Sequence, residues 1–113
     1  MGKNTVFLFT RNGMGEGPSD LQITLINKFL QLTLENGIMP AKMLFFTDGI
    51  RLACKGSEVI DLLRQFVEKR VELVICSTCL QRYGLTQDVE VGVAGSMADI
   101  IDALSKAEKV ISL

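Results

Sequence analysis

Apolar positions along the chain recur in two rhythms that take turns. Short β-branched or aromatic runs, Thr5 to Phe9, Lys42 to Phe46, Glu72 to Ile75, Glu90 to Val93 and Lys109 to Ile111, predict five strands. Longer segments with helical spacing separate them, the order expected of βαβ units. Parallel neighbours require right-handed crossovers, so helices must cover both faces. The predicted fold is therefore α/β, a three-layer α/β/α sandwich around a parallel five-stranded sheet.

The first helix is bracketed by recognisable signals: Pro18, a capping box of Ser19 with Gln22, and an Asn36-Gly37 stop. Between them Leu21, Ile23, Leu25, Ile26, Phe29, Leu30, Leu32 and Leu34 spread apolar surface around more of the helix than one sheet-facing stripe requires. Either its own sheet buries that helix deeply, or a second subunit covers it. The next helix, from Ser57 to Lys69, carries Val59, Leu62, Leu63 and Phe66 on one stripe and charges outside it. The last begins at Ser96, with Asp99 at the third helical position, and runs to Lys106. A further helix is expected directly after the third strand.

Composition narrows the class. A chain of 113 residues fits one domain, 1–113, and can bury roughly two-thirds of its unfolded surface without a staple. Twelve basic against thirteen acidic residues, with no clustering of Lys or Arg, argue against a nucleic-acid partner. No apolar run reaches membrane-spanning length and no secretory leader is visible, so a soluble cytoplasmic protein is expected, with no membrane partner. Three cysteines, an odd number without the spacing of a secreted scaffold, are read as reduced thiols. Histidine is absent. Cys-His and Ser-His pairs are thereby excluded, and a thiol must be activated by backbone dipoles, burial or a cation.

Ligands of open α/β sheets bind beyond the carboxyl ends of the strands, and three unusual segments fall there. After the first strand comes Arg11-Asn12-Gly13-Met14-Gly15-Glu16-Gly17-Pro18, whose glycines suggest a phosphate-cradling turn but match neither the dinucleotide nor the P-loop spacing; Glu16 would also repel phosphate. The alternatives are a flexible loop beside a reactive thiol and a plain connection. After the second strand, Asp48-Gly49 marks a turn and Cys54 reads as a small buried hydrophobe. After the third comes Cys76-Ser77-Thr78-Cys79. A cysteine where a strand passes into a helix meets unpaired N–H groups that favour thiolate.

The Cys76 and Cys79 pair admits several chemistries besides packing. Zinc would need two more ligands, which only Cys54 and carboxylates could supply, so no metal or other cofactor is expected. A dithiol-disulfide couple fits C-x-x-C, although Ser77-Thr78 replaces the usual aromatic-Gly-Pro surroundings. A sulfur carrier needs an accessible thiolate and little else, and lacks nothing for want of histidine.

At Val74-Ile75-Cys76-Ser77-Thr78-Cys79-Leu80-Gln81-Arg82-Tyr83-Gly84-Leu85 the chain resembles the DsrE/DsrF-like sulfur-relay family, and within it the C-terminal domain of YedF-type sulfurtransferase-like proteins, linked by name to selenium metabolism. The likeness continues through Met14-Gly15-Glu16-Gly17, Lys42 to Leu52, Gly56-Ser57-Glu58 and Ala107 to Ile111, nearly the whole chain. It implies a persulfide-carrying Cys76, with Cys79 as a second thiol and Arg82 and Gly84 on the helix that follows; the expected substrate-binding positions, at the three strand ends, are Gly13, Gly15, Asp48, Gly49, Thr78 and Arg82. It also implies a homo-oligomer, trimer or hexamer, and a TusA-like sulfur donor or acceptor acting in trans, since the chain starts at the first strand without such a domain.

Overall fold

The computed structural model describes residues 4–113. Five strands form one parallel sheet: β1 (Thr5–Phe9), β2 (Lys42–Phe45), β3 (Glu72–Cys76), β4 (Val93–Gly95) and β5 (Lys109–Ser112). Their spatial order is β4-β3-β2-β1-β5. The chain steps from β1 to β4 through α1 (Ser19–Glu35), α2 (Ile60–Glu68) and α3 (Ser77–Tyr83), connections for which right-handed crossovers are the rule. Return to the far edge is made by α4 (Met97–Lys106), which the same handedness places on the opposite face.

Side-chain contacts agree with that layering. Phe7 meets Phe29 of α1 edge to face at 5.4 Å, whereas its neighbour Val6 lines a cleft with Ala103, Lys106 and Ala107 at the other face. Phe9 stacks on Phe45 at 4.6 Å across the β1–β2 pair. Phe7, Phe9 and Phe45, with Ile26, Leu30, Met43, Leu63, Phe66, Leu73 and Ile75, form a core that water does not reach, and the partly buried Phe29 packs against it.

Several boundaries differ from the sequence expectation, each for a local reason. The fourth strand is Val93–Gly95 and not Glu90 to Val93. Gly92, at φ 83°, breaks the run, and a Cβ there would lie 2.8 Å from that of Leu73. The preceding residues pair elsewhere: Val89 bridges Cys54, and the Glu90 N–H donates to the Ala53 carbonyl at 2.9 Å. Ser19 is the first residue of α1 and not its cap, because the Gln22 side chain donates to the Gly15 carbonyl at 2.6 Å. The second helix starts at Ile60, with Ser57 Oγ accepting from the Val59 N–H in a turn before it. At α4 the expected capping box is present, Ser96 and Asp99 bonding reciprocally. Asp48-Gly49 forms no simple turn; it opens a 3-10 helix, Thr47–Ala53.

Candidate functional site

Three strand ends meet around one sulfur. Cys76 closes β3 and is also the residue that caps α3. A capping side chain lies beside the third residue of the helix it caps, and in Cys76-Ser77-Thr78-Cys79 that residue is Cys79. Cys76 is accordingly close enough to Cys79 to act on its thiol. They differ in access: Cys76 is 1% exposed, while Cys79 is half-buried. The sequence expectation of an open thiol at Cys76 is thus corrected. β3 is an interior strand, flanked by β2 and β4, and the closing residue Cys76 shares its burial.

The electrostatics are corrected too. α3 has only seven residues, so its N-terminal polarity is slight, and the directed donor is elsewhere. The Thr47 main-chain N–H donates to Cys79 Sγ at 3.1 Å. Burial is the larger influence on Cys79 and pushes its thiol up; the neighbouring Cys76 adds to this, and the Thr47 N–H opposes it. The accessible thiol, Cys79, is therefore biased toward its protonated form.

Thr47 is a residue that side-chain reasoning overlooked. It sits at φ 48°, a conformation that costs a β-branched residue on the order of 1–2 kcal/mol. Its Oγ1 donates to the Thr10 carbonyl at 3.0 Å and lies 2.7 Å from the Phe46 carbonyl, which ties the end of β1 to the end of β2. Beneath it, Gly49 approaches β1 so closely that a Cβ would fall 2.0 Å from the Phe9 carbonyl oxygen. Only glycine lets the 3-10 helix seat there and aim the Thr47 amide at the sulfur. The signal in the sequence was a β-branched residue ahead of Asp-Gly.

Other expected positions distribute around this centre. Gly13 is buried against α1, where a Cβ would meet that of Gln22 at 2.5 Å, and Gly15 receives the Gln22 carboxamide. Both glycines thus fold the loop after β1 onto its helix. Asp48 is exposed and pairs with Arg51 at 3.5 Å, while the Arg51 guanidinium lies 4.7 Å from the centroid of the Tyr83 ring on α3. Thr78 and Arg82 are exposed on α3. Cys54 is 3% exposed, outside this cluster, and burial followed by Asp88 pushes its thiol up. An open groove of about 660 Å³ lies alongside, lined among others by Ser19, Asp20, Arg51, Lys55 and Glu58, with no cysteine in its wall. Among the described residues no cluster of three or more His, Cys, Asp or Glu is arranged to hold a metal ion, and no helix is long and apolar enough to cross a membrane.

A family model described as DsrE/DsrF-like matches residues 3–113. Among solved structures, the chain is similar to the YchN protein of E. coli, with TM-score 0.72 and 18% identity over 100% of both chains. It is similar also to MTH1491 of Methanobacterium thermoautotrophicum, with TM-score 0.70 and 14% identity, covering 96% of this chain and 97% of that one. A third, BT1422 of Bacteroides thetaiotaomicron, gives TM-score 0.69 and 12% identity, covering 96% and 93%. These likenesses concern the fold, a parallel five-stranded α/β sheet. No curated protein matches the sequence significantly.

Proposed function

Because this chain belongs to the DsrE/DsrF-like family, we propose that it works in sulfur relay, as a persulfide carrier or sulfurtransferase acting through Cys76 and Cys79. The observation that supports this reading most is the paired thiols at the end of β3, one of them half-buried and met by the Thr47 N–H at 3.1 Å. In the reaction a cysteine thiolate attacks the outer sulfur of a donor persulfide, R–S–SH. The donor leaves as R–S⁻, and the protein retains Cys–S–SH for an acceptor thiol.

The finer likeness to YedF-type C-terminal domains extends the reading to a TusA-like partner in trans. It extends also to a homo-oligomer joined through α1, whose Leu21, Leu25 and Leu32 are exposed along one stripe. A dithiol-disulfide role is the second reading, favoured by the proximity of the two thiols. Here the Cys79 thiolate attacks the inner sulfur of Cys76–S–SH, expels HS⁻ and leaves a Cys76–Cys79 disulfide.

Incubation with glutathione persulfide followed by peptide mass spectrometry tests the proposal. A carrier gains one sulfur on the Cys76–Cys79 peptide, and the Cys76→Ser/Cys79→Ser double variant gains none. Disulfide with free sulfide indicates the second reading. Neither product would leave a non-catalytic assembly module as the better description.

A further inference from the structure

Resting on the carrier reading, we infer that the two thiols have separate duties: Cys79 is the port at which sulfane sulfur enters, and Cys76 is the buried store to which it passes. The accessibility difference is the first ground. A protein or small-molecule persulfide must bring its outer sulfur into contact with the attacking thiolate, and Cys76, at 1% exposed, gives it no approach. Cys79, half-buried on the third position of α3, does.

The Thr47 amide is the second ground. It points at Cys79 Sγ from a positive-φ residue that two carbonyl contacts and the Gly49 approach hold in place. A fixed N–H of that kind stabilises negative charge on the sulfur it faces. Charge appears there at the moment of the inward step. The Cys76 thiolate attacks the outer sulfur of Cys79–S–SH, forming Cys76–S–SH; the Cys79 S–S bond breaks and its electron pair stays on Cys79 as thiolate, beneath the Thr47 N–H. No external oxidant or reductant enters, and the proton lost by Cys76 is available to Cys79. Adjacency of a capping residue and the third helical residue supplies the reach. Once on Cys76 the sulfur is withdrawn from solvent thiols, which would otherwise strip it as hydrosulfide.

Rapid-quench peptide mapping after mixing the wild-type chain with glutathione persulfide tests the order. The one-sulfur adduct should appear on Cys79 first and decay as the Cys76 adduct rises. Cys79→Ser should load Cys76 at least about tenfold more slowly, access being what limits a buried thiol. Cys76→Ser should still load Cys79 and then lose the sulfur to added dithiothreitol faster than wild type. Circular dichroism confirms that each variant is folded, and the wild-type time course alone decides the order should either fail. Wild-type loading of Cys76 in Cys79→Ser, or a Cys76 adduct preceding that on Cys79, would overturn the port-and-store scheme while leaving the carrier reading intact. A disulfide with released sulfide in place of a Cys76 adduct overturns the inward transfer. Absence of any adduct removes the carrier reading itself.

Discussion

At the scale of single residues, the site depends on a main-chain group more than on any side chain. Cys79 is pushed up by burial against the pull of the Thr47 N–H, so its alkylation by iodoacetamide should rise with pH to a midpoint alkaline of the ordinary exposed thiol, about 8.5. Cys76 should label only after denaturation. A midpoint at or below that of a free thiol would contradict the assigned balance. Thr47 itself separates strain from bonding. Thr47→Val keeps the unfavourable φ and loses the Oγ1 bond to Thr10, and should cost about 1–2 kcal/mol in urea unfolding. Thr47→Gly loses the same bond but accepts φ 48° freely, so it should come within about 1 kcal/mol of wild type. The sequence did not disclose this because it names side chains, and the donor to Cys79 is a peptide N–H aimed by a left-handed backbone.

Elements explain how that aim is held. The 3-10 helix Thr47–Ala53 rests on β1 through Gly49, and a methyl group there would collide with the Phe9 carbonyl. Gly49→Ala should therefore destabilise the chain by about 1–3 kcal/mol. It should also move the Cys79 alkylation midpoint further up, since the Thr47 N–H that holds it down is displaced. A destabilised variant with an unchanged Cys79 profile would separate the two roles of the turn. Strands β1, β2 and β3 were legible to within a residue because their β-branched and aromatic runs are buried, and β5, an exposed edge, because its Val110-Ile111 run pairs with β1. β4 was not, since Glu90-Val91 has strand chemistry but is used to pair with the segment around Cys54. Gln22 misled similarly: its spacing from Ser19 signals a cap, while its carboxamide closes the glycine loop. On α1, Leu21, Leu25 and Leu32 are exposed in the single chain, and if α1 joins the proposed homo-oligomer, Leu25→Glu with Leu32→Glu should leave folding intact and lower the mass measured by sedimentation to that of one subunit.

For the whole molecule, the buried thiols couple folding to pH on the alkaline side. Cys54 and Cys79 both have thiols raised by burial in the folded state, Cys54 further by Asp88 and Cys79 by Cys76. An unfolded thiol ionises near pH 8.5, so above that point the unfolded chain has released protons that the folded chain still holds. The unfolding free energy must then fall with rising pH. The stabilisation is complete below the unfolded value and is lost as pH climbs through the raised folded ones. Lysine and tyrosine titrate in the same range, so the thiol share is read as a difference between proteins. Urea midpoints measured at pH 7 and pH 10 should decline less for Cys54→Ala/Cys79→Ser than for wild type, whatever the offset at pH 7. Equal declines would mean that the fold raises neither thiol, and the balance assigned to Cys79, burial outweighing the Thr47 N–H, would have to be given up.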